Sequence, residues 1–233
     1  MKEITTVFFD IDDTLWWFTR NSELALETTF RLMGCGNWCK SYEEFHERYE
    51  YYNHELWQLY NQGKVEKEVL EVKRFEQALE ASRYCCDDVD QLADAMNTCY
   101  LNQLVQHHHL IPGAVELLQY LHNKGYQINT ISNGFKGVQE RKLQAGGMDH
   151  FITHVVLSED CGITKPRQGI YDYAMKLCGA EPQNIVMIGD DPTTDIAGAL
   201  NAGWHTIYLN TRDIPCQTAH HTVKTLLEIK HLL

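Results

Sequence analysis

No apolar run in this 233-residue sequence approaches the roughly 20 residues that a membrane-spanning helix needs. Basic residues are scarce as well. Twenty Lys and Arg stand against 32 Asp and Glu, a formal net charge of −12. A nucleic-acid polymer or an anionic membrane surface needs a basic footprint, so neither is an expected partner. A small phosphorylated molecule needs only local positive charge and stays open. Cys-x-x-Cys pairs are missing, and the eight cysteines are scattered through the chain. With no signal peptide expected ahead of the first strand, the reading is a cytoplasmic protein with reduced thiols. There are only five prolines, no internal repeat and no low-complexity segment. The composition is that of an ordinary globular chain, long enough for one large domain or two small ones.

What is present is concentrated first at the amino terminus. The apolar run Ile4-Thr5-Thr6-Val7-Phe8-Phe9 ends abruptly in Asp10-Ile11-Asp12-Asp13-Thr14. Like charges repel, and burying them is costly without compensation. A divalent cation with oxygen ligands is the natural compensation. The carboxyl end of a strand is also where open α/β sheets bind ligands.

After Thr14 the pattern turns helical. The spacing predicts helices over Ser22–Met33, from the capping box Ser41-x-x-Glu44 to a stop at Gly63, over Val65–Ala81, and beyond Asp87. From Leu110 onward helices and strands alternate. Strands are expected at Tyr126–Ile131, His154–Leu157, Ile185–Ile188 and His205–Leu209. Helices are expected at Val115–Asn123, Phe135–Ala145, Gly169–Leu177 and Asp195–Asn201. Alternation of this kind gives a parallel sheet covered on both faces. The expected architecture is α/β: a Rossmann-like parallel core from residues 1–15 plus 111–233, interrupted by an all-helical insertion at about 16–110.

Three further strand ends and loops carry polar groups of complementary kinds. They are Ser132-Asn133-Gly134, Lys165-Pro166, and Gly189-Asp190-Asp191 with Asp195 downstream. Carboxylates for a metal and a nucleophile, a hydroxyl and an amide for oxyanions, and a lysine to neutralise charge form a phosphoryl-transfer inventory. Asp191 competes with Asp190 as the metal carboxylate, and the first one after the strand is preferred. Asp195 alone reads as a helix N-cap. His107-His108-His109 reads as a solvated helix end, because adjacent helical residues point in different directions. Cys35 and Cys39 read as packing residues. Trp16, Trp17 and Phe18 read either as a stacking surface for a base or as packing between core and cap.

The order Asp-x-Asp-x-Thr, Ser, Lys-Pro and Gly-Asp-Asp-x-x-x-Asp resembles the haloacid dehalogenase superfamily, and the helical insertion resembles its C1 cap. The stretches Ile131–Phe135, Val156–Glu159, Gly162–Pro166 and Asp195–Ala199 look like its pyrimidine 5′-nucleotidase branch. The resemblance implies a phosphatase that works through an aspartyl phosphate. Asp10 is then the nucleophile. Asp12 protonates the leaving oxygen and later takes the proton of the hydrolytic water. Mg²⁺ is held by Asp10, the Asp12 backbone carbonyl and Asp190, with Asp195 as a candidate support. Thr14, Ser132, Asn133 and Lys165 are the implied phosphate-binding residues, Thr14 also orienting the turn. Nucleoside 5′-monophosphates, pyrimidine preferred, are the implied substrates. Phosphoglycolate or a sugar phosphate is the alternative. A receiver-like phosphate-sensing module and a dehalogenase are readings of other classes. A receiver lacks a helical insertion after its first strand, and halide departure needs neither the general acid Asp12 nor Mg²⁺.

Overall fold

The computed structural model describes residues 4–37, 39–81 and 88–233. Cys85, Cys86 and Asp87 lie outside the described residues. The chain divides into two compact units, one of residues 1–19 plus 108–233 and one of residues 20–107. The sequence-based boundaries at 16 and 110 differ from these. Trp16 is fully buried in the α/β core, and Trp17 and Phe18 pack against it. The backbone pairs Ile111 N–H with Leu15 C=O at 2.9 Å and Trp17 N–H with His109 C=O at 3.1 Å. These residues therefore belong to the sheet-bearing unit. Burial in that core also removes Trp16 as a base-stacking surface.

The α/β unit holds six parallel strands: β1 (Thr6–Phe9), β2 (Gln127–Ser132), β3 (His154–Leu157), β4 (Ile185–Gly189), β5 (His205–Leu209) and β6 (His221–Val223). Their order is β3-β2-β1-β4-β5-β6, so the direction of winding reverses between β1 and β4. Ligands bind at such a switch point in doubly wound sheets. The register sets Phe9 beside Thr130 of β2 and Ile188 of β4.

Alternation along the strands divides the core into two layers. Val7, Phe9, Val186 and Ile188 face one side, with Leu117, Leu118 and Leu121 of α5 (Ala114–Asn123). Phe8, Ile185 and Met187 face the other, with Ile170, Tyr171 and Ala174 of α8 (Gln168–Cys178) and with Trp204. The remaining helices of this unit are α6 (Val138–Ala145) and the single turns α7 (Ser158–Cys161) and α9 (Gly198–Asn201). Among the described residues no helix is long and apolar enough to cross a membrane.

Several elements of this unit differ from expectation. α6 starts at Val138 rather than Phe135, because Gly137 takes φ +67° just ahead of it. A wide π-type turn, Pro192–Ala197, precedes α9. Asp191, not Asp195, is its N-cap and accepts Thr193 N–H and Thr194 N–H, both at 2.7 Å. β6 was not anticipated; three residues are too few for a periodic signal.

The helical unit comprises most of α1 (Phe18–Leu32), then α2 (Tyr42–Asn61), α3 (Lys67–Ala81) and α4 (Val89–Leu104). α1 begins four residues ahead of the expected Ser22. Its signal is non-local: the Asp13 carboxylate accepts Thr19 N–H at 2.9 Å and Thr19 Oγ1–H at 2.6 Å. Ser41 caps α2 by accepting Glu44 N–H at 3.2 Å. Glu44 turns its carboxylate to Arg48 at 3.1 Å. Phe45, Tyr49 and Leu56 form the buried face, as their spacing predicts. Cys35 and Cys39 are buried, with Cys35 Sγ 3.8 Å from Met96 Sδ. Arg74 is a buried cation that sequence reasoning missed. It donates to Asn97 Oδ1 at 2.6 Å and lies over the rings of Tyr100 and Phe75.

Candidate active site

The carboxyl ends of β1, β2 and β4 and the loop before α8 bring most of the expected residues together. Asp10 leaves β1 with its N–H bonded to Ile188 C=O at 2.9 Å. The chain then turns tightly. Leu15 N–H and Trp16 N–H both reach Ile11 C=O, and Asp13 adopts φ +56°. Thr14 is buried under the turn and donates Oγ1–H to Asp190 Oδ1 at 3.2 Å.

Lys165 is the hub of the site. It is 2 % exposed, and its ammonium donates to Asp10 Oδ1 at 2.6 Å, Asp195 Oδ1 at 2.7 Å and Ile131 C=O at 2.9 Å. An ammonium has three donors, and all three are used. Burial alone would lower the Lys165 pKa. The Asp10 and Asp195 carboxylates override it and hold the group well above its ordinary value.

Asn133 fixes this lysine's backbone. Its Oδ1 accepts Lys165 N–H at 2.7 Å and its Nδ2 donates to Lys165 C=O at 3.0 Å. One N–H of the side-chain amide expected at the phosphate is thus directed to the lysine loop.

The acidic groups repel one another inside the protein. Burial raises the Asp10 pKa; Lys165 opposes the rise, and Asp195, Asp190 and Asp12 add to it. Asp190 is raised to about 7, first by burial and then by Asp195, with Arg212 acting the other way. Asp195 is raised by burial against the pull of Lys165. Carboxylate oxygens of Asp10, Asp190 and Asp195 lie within 4.8 Å of one another. Hard oxygen donors, negative charge and burial fit a small divalent cation. The Asp12 side chain is not in this group. Asp191 is not either, because its carboxylate is the helix cap. Gly189 makes room for the cluster: a Cβ there would stand 2.3 Å from Asp195 Oδ2.

Asp12 is held by residues that sequence reasoning missed. Lys142 Nζ donates to its Oδ1 at 2.6 Å and Gln139 Nε2 to its Oδ2 at 2.9 Å. Gln139 Nε2 also reaches Ser132 Oγ at 2.7 Å. That oxygen additionally accepts Gly134 N–H at 3.0 Å. Two further residues were missed. Arg212 donates to Asp190 Oδ2 at 2.6 Å and to its backbone carbonyl at 3.1 Å. Tyr171 Oη–H bonds Thr194 C=O at 2.5 Å behind the cluster. Four carboxylates therefore face three cations, Lys165, Lys142 and Arg212.

A fully parallel sheet with its charged groups gathered at one switch point places the chain among α/β enzymes that act on ligands held at strand ends. Residues 4–203 match the haloacid dehalogenase-like hydrolase family, and the chain belongs to that family. Pyrimidine 5′-nucleotidase YjjG of Escherichia coli is 30% identical over 231 residues, 97% of this chain and 96% of that one. Glyceraldehyde 3-phosphate phosphatase of Methanothermobacter thermautotrophicus is 36% identical over 109 residues, about half of each protein. The magnesium-bound crystal structure of the HAD-hydrolase YfnB of Bacillus subtilis superposes with a TM-score of 0.87 at 27% identity, covering 100% of this chain and 99% of that one. The protein is an enzyme of the phosphatase type. A receiver-like signalling role has no support beside this family membership.

Proposed function

We propose that the protein is a Mg²⁺-dependent phosphomonoester hydrolase that acts on nucleoside 5′-monophosphates, pyrimidine preferred, through an aspartyl phosphate on Asp10. The observation that carries the chemistry is the Asp10 carboxylate. It is fixed by Lys165 at the end of β1, beside Asp190 and Asp195. Asp10 attacks phosphorus in line. One Oδ–P bond forms and the bond to the leaving oxygen breaks. Asp12 gives that oxygen a proton and afterwards takes one from the water that cleaves the aspartyl phosphate. Ser132 Oγ already accepts two hydrogen bonds, so its own O–H is the group aimed at a phosphoryl oxygen. Lys165 offsets the repulsion between carboxylate and phosphate. Asp10, Asp190 and the Asp12 carbonyl are the proposed cation ligands. Asp195, with one oxygen on Lys165 and the other on Asp191 N–H, supports them. When bound, Mg²⁺ supplies charge neutralisation on the phosphoryl oxygens. Residues 20–107 are the proposed cap.

The nucleotide assignment leans on the likeness to YjjG over nearly the whole chain. The likeness to the glyceraldehyde 3-phosphate phosphatase keeps a sugar-phosphate substrate as the second reading, over about half the chain. Phosphate release with Mg²⁺ should show kcat/KM for pyrimidine monophosphates about tenfold or more above purine monophosphates, phosphoglycolate and glyceraldehyde 3-phosphate. Equal efficiency on all four classes removes the nucleotidase reading.

Cation binding should be coupled to pH. Asp190 is raised to about 7 in the fold, above its ordinary 3.8, so the cation-free folded protein holds that proton more tightly than the unfolded chain. The stability this contributes is full below the unfolded value and is lost as pH rises through about 7. A cation replaces the proton. The melting-temperature gain on adding Mg²⁺ should therefore grow between about pH 5.5 and about pH 8. Asp190→Ala should reduce that gain more than Asp191→Ala. A gain independent of pH, or the reverse order of the two variants, contradicts the assignment.

A further inference from the structure

The Asp12 carboxylate sits at the mouth of the turn, with 29% of its side chain exposed. An exposed aspartate samples several staggered rotamers, and a proton-transfer group must be held in one. We propose that Gln139 and Lys142 are positioning residues that fix the Asp12 carboxylate for proton transfer and tie its orientation to Ser132. The inference rests on the reading of Asp12 as the proton donor to the leaving oxygen.

The geometry is specific. Each Asp12 oxygen accepts from a different side chain, Lys142 at Oδ1 and Gln139 at Oδ2. Two donors on the two oxygens fix both the rotamer and the plane of the carboxylate. Both donors are themselves immobilised. Gln139 is 0% exposed and Lys142 is 2% exposed, on the same face of α6 three residues apart. The Lys142 ammonium also lies 4.9 Å from the centre of the Phe18 ring. Gln139 uses its second N–H on Ser132 Oγ. It packs so close to Gly134 that a Cβ at that position would stand 2.1 Å from Gln139 Nε2. Gly134 is therefore needed for the approach of Gln139 as well as for the turn. One amide connects the proposed proton donor to the proposed phosphate-binding hydroxyl, so the two are aligned by a single rigid element. Among the described residues, Asp12 is the carboxylate within ion-pair distance of the buried Lys142 ammonium, and Gln139 divides its amide between that carboxylate and Ser132.

The test is the dependence on leaving group. A nucleoside monophosphate expels an alkoxide and needs the proton. p-Nitrophenyl phosphate expels a stable phenolate and needs it far less. kcat/KM reports only the steps up to departure of that group, so later hydrolysis of the aspartyl phosphate does not enter. Lys142→Met should lower kcat/KM for the nucleotide about tenfold or more and change p-nitrophenyl phosphate by less than about threefold. Gln139→Leu, which also releases Ser132 Oγ, should lower kcat/KM for both substrates, and for the nucleotide about tenfold more than for p-nitrophenyl phosphate. Lys142→Arg should recover most of the loss. Asp12→Ala, measured on the same two substrates, should show the same selectivity more strongly. If Asp12→Ala is selective and neither positioning variant is, with folding verified by circular dichroism, the positioning proposal fails alone. If Asp12→Ala itself loses equally on both substrates, the proton-donor reading fails and the proposal falls with it. Should one variant not fold, the other decides.

Discussion

Asp10→Asn is expected to lower kcat by at least ~10³-fold, about 4 kcal/mol of barrier, with the fold retained. Lys165, from the loop before α8, donates directly to this carboxylate at the end of β1. An amide is a poor nucleophile for phosphorus and a poor ligand for a hard cation. Stability should change little. The substitution removes one of several mutually repelling buried carboxylates, and Lys165 keeps Asp195 and the Ile131 carbonyl. Steady-state phosphate release and a thermal melt test both halves. Activity within about tenfold of the parent would place the nucleophile elsewhere.

Lys165→Met should have the largest effect on stability. Removing one partner of a buried ionic cluster costs about 3–5 kcal/mol, because the remaining charges are left without compensation. Here two carboxylates lose their counter-charge at once, those of Asp10 and Asp195, both almost fully inaccessible. Activity should fall with it, since Asp10 is no longer held. The pH dependence carries a definite sign. The parent lysine has a folded pKa above its unfolded value, so its contribution persists through neutral pH and fades only in strong alkali. In the variant the two carboxylates are more easily neutralised by protons than by water. The stability deficit against the parent should therefore shrink on acidification toward about pH 4. Urea unfolding at several pH values reads it directly. A deficit that grows on acidification would mean that Lys165 is not the compensating charge.

How much of this was legible in the sequence follows from where the information sits. Asp10 and Asp190 were legible because each ends an apolar strand, where a charge is locally anomalous. Ser132 was legible only from its place at a strand end, since β2 itself carries Gln127, Asn129 and Thr130. Lys165 was legible only through the order of motifs. Gln139 and Lys142 were not legible. A polar pair three residues apart on a short helix looks like a solvated face, and only the packing of α6 turns it inward. The signal available was a single residue, Leu143, beside Lys142 on a helix with little else apolar. Arg212 lies in the loop after β5, where no periodicity marks it. The true start of α1 was hidden for a different reason. Its polar clasp comes from Asp13, six residues upstream, beyond the reach of any local capping rule.

The way the α/β unit closes behind its Asp10–Thr14 turn has a practical meaning. Thr19 is clasped by Asp13, Trp17 N–H is bonded to His109, Trp16 is bridged to Leu110, and Ile111 N–H is bonded to Leu15. Every one of these bonds lies within the sheet-bearing unit. The exit and return of the chain are therefore stitched together before the 20–107 segment contributes anything. A different helical segment spliced between Thr19 and His108, or a short linker put in its place, would leave every one of these bonds intact. Splices made inside 13–19 or 108–111 would break them. Exchange of the insert, with the Asp10–Thr14 turn left unaltered, is an evolutionary route that this construction leaves open.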